Sequence, residues 1–256
     1  MGETTKIEWA DKTFSPWTGC TKISPACQNC YAANMMANRF GRVVWGEPGV
    51  GKGTRSLMSD DYWKKPLAWN QAAYRAGTRP FVFPSLCDPF DNEVDRAWFA
   101  RFVGLMWATP HLVWLLLTKR PGNILKMTTP RHGASPLPQN VALGATLVNQ
   151  EEWDRDLWKL ADACQSVNPL FSFVSIEPML GPIIFKPGVW LPDWMIVGGE
   201  TDQGGRNARY THPDLFRSIR DQTARAGKIF FMKQMTRKAP IPADLMIQNR
   251  PEVTAL

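Results

Sequence analysis

Three of the chain's five cysteines fall within eleven positions of "GCTKISPACQNCY": Cys20, Cys27 and Cys30, spaced C-x6-C-x2-C. Clustered cysteines in a reducing compartment point to metal binding or catalysis before disulfides. Structural zinc takes four protein ligands. The histidines, His111, His132 and His212, stand far off in no ligand-like spacing, so a zinc site needs Cys87 or Cys164 as its fourth ligand. An iron–sulfur cube takes one thiolate per iron, so three cysteines hold it and leave one iron open. A catalytic metal needs such an opening and a structural metal does not. On chemistry alone the open cluster is the better reading, with zinc as the alternative.

A loop of this kind needs a scaffold. The 256 residues suffice for one large α/β domain or two small ones. The formal charge of +7 favours a polyanionic partner. "MGETTKIEWADK" is polar where a signal peptide would be apolar. "FVGLMWATPHLVWLLL" is interrupted by Pro110 and His111, so no membrane span is expected. The expectation is a cytoplasmic, monomeric chain.

Short apolar runs alternate with helical patterns. Strands are predicted over 13–19, 81–88, 113–119, 141–148, 171–177, 194–200 and 228–234, and helices over 28–40, 93–107, 150–164 and 212–226. The last helix opens at His212-Pro213-Asp214 and stops before Gly227. Repeated β-then-α order predicts a parallel sheet or barrel over 1–234, with an insertion at 41–80 and a loosely held tail at 235–256. Most strands end in polar or small residues: Cys20, Ser85 to Asp88, Thr118-Lys119-Arg120, Asn149-Gln150, Glu177 and Gly198-Gly199-Glu200. Ligands gather at the C-terminal ends of parallel strands, which places the cysteines, several carboxylates and a lysine around one mouth. Strand ends are also polar simply because they meet solvent.

A strand ending in three close cysteines, opening a βα series, resembles the radical S-adenosylmethionine (radical SAM) superfamily, where the usual spacing is C-x3-C-x2-C. "SPWTGCTKISPACQNCYA", "SLCDPFDNEVD" and "LLTKRPGNI" are similar to segments of its spore photoproduct lyase-like branch. The course "IEWADKTFSPWTGCTKISPACQNCYA", "SLCDPF", "LTKRP", "SIEPMLGP", "IVGGETDQGGRNAR" and "RDQTARAGKIFFMKQ" resembles a phage-encoded three-cysteine-motif family, regarded as radical SAM-like and without an assigned substrate.

The resemblance implies an α/β fold, a partial (β/α)6 TIM-like barrel, with a [4Fe–4S] cluster on Cys20, Cys27 and Cys30. S-adenosylmethionine would chelate the open iron, and an external one-electron reductant would drive its cleavage to a 5′-deoxyadenosyl radical. By the same resemblance, Asn29 and Tyr31 would shape the adenine side. Ser85 and Asp88 would meet the methionine amino group. Lys119 would hold the methionine carboxylate or a substrate phosphate, and Thr146, Asn149 and Glu177 the ribose or the substrate. Cys87 would return a hydrogen atom to a substrate radical, the plain alternative being a small buried thiol. Cys164 is expected in the core.

A rival motif is "GEPGVGKGT", Gly46 to Thr54, which fits G-x-x-x-x-G-K and would make the chain a P-loop NTPase or kinase. That reading leaves the three cysteines without a role. The same basic loop can instead touch nucleic-acid phosphates through Lys52 and Arg55, joined by Arg206 and Arg209 in "GGRNARYTH". Nucleic acid is the expected substrate, DNA before RNA, as photoproduct repair or base modification. The alternative from another class is a non-enzymatic iron–sulfur or zinc protein that binds nucleic acid.

Overall fold

The computed structural model describes residues 5–129 and 136–255; His132 lies outside them. In chain order the strands are β1 (Lys12–Thr13), β2 (Trp17–Thr18), β3 (Trp45–Glu47), β4 (Gly51–Gly53), β5 (Ser56–Leu57), β6 (Phe81–Phe83), β7 (Val113–Thr118), β8 (Val141–Thr146), β9 (Ser172–Ile176), β10 (Trp194–Gly198) and β11 (Ile229–Gln234). The helices are α1 (Tyr31–Ala33), continued by a π-helical stretch Asn34–Arg39, then α2 (Asp60–Trp63), α3 (Lys65–Ala76), α4 (Arg96–Trp107), α5 (Ile124–Thr128), α6 (Gln150–Val167) and α7 (Pro213–Arg225).

The apolar runs become parallel strands buried on both faces, as βα repetition requires. They join in the order β1-β6-β7-β8-β9-β10-β11, a curled seven-strand parallel sheet that forms a half-barrel with β1 and β11 at its edges. Among the described residues no helix is long and apolar enough to cross a membrane.

Alternation along each strand builds two cores. Val82, Trp114, Leu116, Leu143, Val174, Met195 and Met232 face the helices. Trp9, Phe81, Phe83, Leu115, Phe173, Trp194, Ile196 and Phe231 fill the concave side, with the Trp9 and Phe83 rings 4.5 Å apart. Two or four residues further along the same strand faces the chemistry changes, to Lys119, Thr146, Ser175, Glu177, Gly198 and Lys233. The concave side thus has an aromatic floor at the N-terminal strand ends and a polar rim at the C-terminal ends. Gly144 is required there: a Cβ on it would lie 2.5 Å from the Phe173 ring.

Three expected elements are corrected. The strand over 13–19 is two short pieces, β1 paired with β6 and β2 paired antiparallel with β5, because Pro16 has no N–H for a ladder. The strand over 81–88 stops at Phe83, before Pro84, and the chain turns through Ser85 to Asp88. The tail is firmly held. Leu245 is fully buried, Met232 N–H donates to Ile247 O at 2.8 Å, and Arg250 reaches Asp11 at 2.9 Å. The tail therefore straps both edge strands, which would otherwise leave backbone groups unpaired. The insertion at 41–80 is ordered as well: it holds the β3–β4 hairpin, β5, α2 and α3.

Candidate metal and cofactor site at the mouth of the half-barrel

The cysteine loop follows β2 through Gly19, whose φ of +103° and missing Cβ let Thr54 O approach where a side chain would stand at 2.3 Å. Ser24 Oγ accepts from Ala26 N–H at 3.1 Å and starts a single 3-10 turn at Pro25–Cys27. Cys30 is the last extended residue before α1. The loop crosses the mouth and is tied to several strand ends. Tyr31 OH donates to Ser85 O, beyond β6. Arg120, beyond β7, donates from Nη1 to Cys20 Sγ at 3.4 Å and from Nη2 to Thr21 O at 2.9 Å. Asn29 Nδ2 donates to Glu200 Oε2, beyond β10, at 2.9 Å.

Cys27 is buried, Cys20 and Cys30 are partly so, and all five cysteines are free thiols. Burial pushes the Cys20 thiol up to about 12, aided by Asp88 and opposed by Arg120. Burial also raises Cys30. For Lys119, burial works downward and is outweighed by the fields of Cys27, Cys30, Asp88 and Cys20, so its ammonium is held above its ordinary range.

Among the described residues no three His, Cys, Asp or Glu side chains converge on a single metal-ion position. A four-iron cube takes its thiolates at separate corners instead. The donor set, three free thiols on one loop, suits a cluster in its chemistry. A second observation fits a bound polar group: Glu177 Oε1 is buried without a hydrogen-bond partner, although Lys233 Nζ lies 3.3 Å away. Gly198 leaves the room, since a Cβ there would lie 2.7 Å from that oxygen.

Several expected ligand contacts are structural. Asp88 is filled: its carboxylate accepts from Thr118 Oγ1 at 2.6 Å, Phe90 N–H at 3.0 Å, Lys119 N–H at 3.1 Å and Arg120 Nη1 at 2.9 Å. Asn149 caps α6, accepting from Glu152 N–H at 2.9 Å, while Glu152 accepts from Val148 N–H at 3.1 Å. Cys87 packs against the helix-side core, and so does Cys164. Lys119 Nζ and Thr146 Oγ1 do meet over the mouth, at 3.5 Å.

Of the four basic residues expected on phosphates, Arg55, Arg206 and Arg209 are engaged within the fold, and Lys52 makes only an exposed pair. Lys52 pairs with Glu93 at 3.0 Å and Arg55 with Asp91 at 2.6 Å. Arg206 Nη1 donates to Gln28 O at 2.8 Å, and Arg209 pairs with Glu200 and donates to Pro25 O at 3.0 Å, both bracing the cysteine loop. Gly46–Thr54 is a hairpin, with Trp45 opposite Gly53 and Glu47 opposite Gly51, and it leads into β5. A phosphate loop must open a helix, whose N-terminal amides hold the phosphates, so this segment lacks the geometry of a P-loop.

Arg120, Asp91 and Lys233 were missed as site residues. Lys233 was reachable by counting inward from Phe231 by twos. Arg120 is marked in the sequence only as a polar strand end, and Asp91 becomes evident only when Arg55 of the insertion folds against it.

A family described as a protein of unknown function (DUF5131) matches residues 4–248. The chain belongs to that family. The match spans the sheet, the cysteine loop, the insertion and the tail as far as residue 248, so the family's shared unit is the whole half-barrel. No curated protein and no solved structure matches the chain.

Proposed function

We propose that the mouth of the half-barrel is a three-cysteine iron–sulfur site of the radical SAM type, acting on nucleic acid, DNA before RNA. One observation carries this reading: a loop with three free thiols spans the C-terminal ends of a curled parallel sheet and is hydrogen-bonded to residues beyond β6, β7 and β10 at once. The sheet with α4, α5, α6 and α7 is then read as the partial (β/α)6 barrel of that superfamily, its two-residue β1 being an edge.

Cys20, Cys27 and Cys30 would hold a [4Fe–4S] cluster. When bound, cluster and S-adenosylmethionine supply a one-electron reductive cleavage of the sulfonium to methionine and a 5′-deoxyadenosyl radical, the electron coming from an external reductant. The chain's own residues position and exclude water. Phe83 and Phe173 belong to the apolar floor below the rim. The Lys119 ammonium, beside Thr146, suits a carboxylate or phosphate, and the Glu177 carboxylate, ion-paired with Lys233, keeps an oxygen that can accept from an ammonium or hydroxyl donor.

The test is anaerobic reconstitution with iron and sulfide. About four irons per chain, an EPR signal that S-adenosylmethionine perturbs, and 5′-deoxyadenosine after reduction are expected. Cys20→Ala, Cys27→Ala and Cys30→Ala each lose the cluster, and Cys164→Ala keeps it. Zinc in the site with no cleavage of S-adenosylmethionine overturns the reading in favour of a non-enzymatic metal protein.

A further inference from the structure

The basic residues first expected on nucleic-acid phosphates are engaged in ion pairs or on loop carbonyls, which raises the question of where unpaired charge lies near the mouth. Two unpaired arginines stand at the far end of the helix that begins immediately after Cys30. Arg39 and Arg42 are exposed, and no carboxylate among the described residues pairs with either. Between them stands Phe40, 53 % exposed, with the Arg39 and Arg42 guanidinium carbons 5.5 Å and 5.9 Å from its ring centroid.

The backbone sets this arrangement. After α1 the helix widens, and Phe40 N–H donates to Met35 O at 3.1 Å, a bond spanning five residues. The spacing from Tyr31 to Met35 is four and from Met35 to Phe40 five, so these three residues follow one another along one side. All three are exposed large side chains, whereas Met36 of the same helix is buried with Ala32, Val43 and Leu86. Tyr31 touches Ser85 O at the mouth. The ledge therefore runs from the mouth to Phe40 over nine residues, on the order of 13 Å at helical rise.

We propose that Arg39, Phe40 and Arg42 form a clamp for a single-stranded nucleic-acid segment, with a base stacked on Phe40 and flanking phosphates on the two guanidiniums. This deepens the reading of the mouth as acting on nucleic acid and rests on it for the substrate class. Stacking on an exposed ring between cations is how single strands are held without sequence preference. In a duplex the base faces are already covered by their neighbours. Exposed cation–π contacts are weak, so either guanidinium can turn to a phosphate while a base takes the ring. At about 3.4 Å per stacked nucleotide, the clamp holds the strand roughly four nucleotides from the mouth.

The test is fluorescence anisotropy of the full chain, as purified, with a labelled mixed-sequence single-stranded DNA across a salt series. Phe40→Ala is expected to weaken binding about ten-fold, and Phe40→Tyr to keep it. Arg39→Gln with Arg42→Gln is expected to reduce the slope of log affinity against log salt by about 1.4, about 0.7 for each phosphate contact. Lys186→Gln, which removes an exposed lysine paired with Asp154, is the charge control and leaves both unchanged. Binding unaffected by Phe40→Ala, an equal loss from Lys186→Gln, tighter binding of duplex, or no binding of DNA overturns the clamp. The assay involves no turnover of S-adenosylmethionine, so a clamp without radical chemistry, or radical chemistry without a clamp, separates the two readings.

Discussion

The guanidinium of Arg120 donates from Nη1 to the sulfur of Cys20 at 3.4 Å. The same nitrogen lies 2.9 Å from Asp88, and both side chains of that ion pair are only 8 % exposed. A single buried cation thus joins the first cysteine of the loop to the turn beyond β6 and the end of β7.

Arg120→Met is expected to destabilise the fold by about 3–5 kcal/mol, because it leaves the Asp88 carboxylate buried without its partner. Arg120→Lys keeps the charge but not the fork, and loses less. Equilibrium urea unfolding of the three proteins measures both differences.

The insertion is fastened by the Arg55–Asp91 pair at 2.6 Å, with side chains 5 % and 0 % exposed. Arg120 also approaches Asp91, at 4.0 Å. Arg55→Met and Arg120→Met therefore share a partner, and their effects are expected to depart from additivity by about 0.5–3 kcal/mol. A double-mutant cycle in urea reads that coupling. Simple addition of the two losses contradicts a shared network.

Gly144→Ala would place a methyl 2.5 Å from the fully buried Phe173 ring. Overpacking of this kind costs about 1–3 kcal/mol, so a clear fall in the thermal midpoint is expected. Gly122→Ala, whose Cβ meets only the Lys159 side chain at 3.5 Å, is the comparison that stays near wild type.

The pH dependence of the loop's tether has a definite sign. Burial alone would raise Glu200, but the hydrogen bonds and charge of Arg209, with Asn29, hold it below its ordinary value of 4.5. Its stabilising contribution is therefore present above the unfolded-state value and is lost as pH falls through the lower folded-state value. Glu200→Gln is expected to be less stable than wild type near pH 7, with the gap narrowing below pH 4.5. Urea midpoints measured at descending pH follow that gap, and one that widens in acid contradicts the assignment.

Much of this was legible in local sequence. The runs that became β7, β8, β9, β10 and β11 are apolar enough to show as buried parallel strands, and α7 carries its own start and stop. Cys20, Cys27 and Cys30 stand out by spacing alone. The strands of the 41–80 segment were poorly legible because they are only two or three residues long and gain order from partners far away: β5 pairs with β2, and Arg55 with Asp91. Asp88 and Asn149 looked like ligand residues because a polar strand end reads the same whether it serves a ligand or caps a turn.

By itself the sequence determined the βα repetition, the strand faces and the existence of a three-thiol loop, since these follow from local periodicity and residue type. Only the tertiary structure decided which charges are spent. Arg55, Arg206 and Arg209 are engaged within the fold and Lys52 only in an exposed pair, while Arg39 and Arg42 remain open beside Phe40. Whether a charge finds a partner depends on residues brought close by the curl of the sheet, such as Pro25 for Arg209, 184 positions away in the chain, and no local pattern carries that distance.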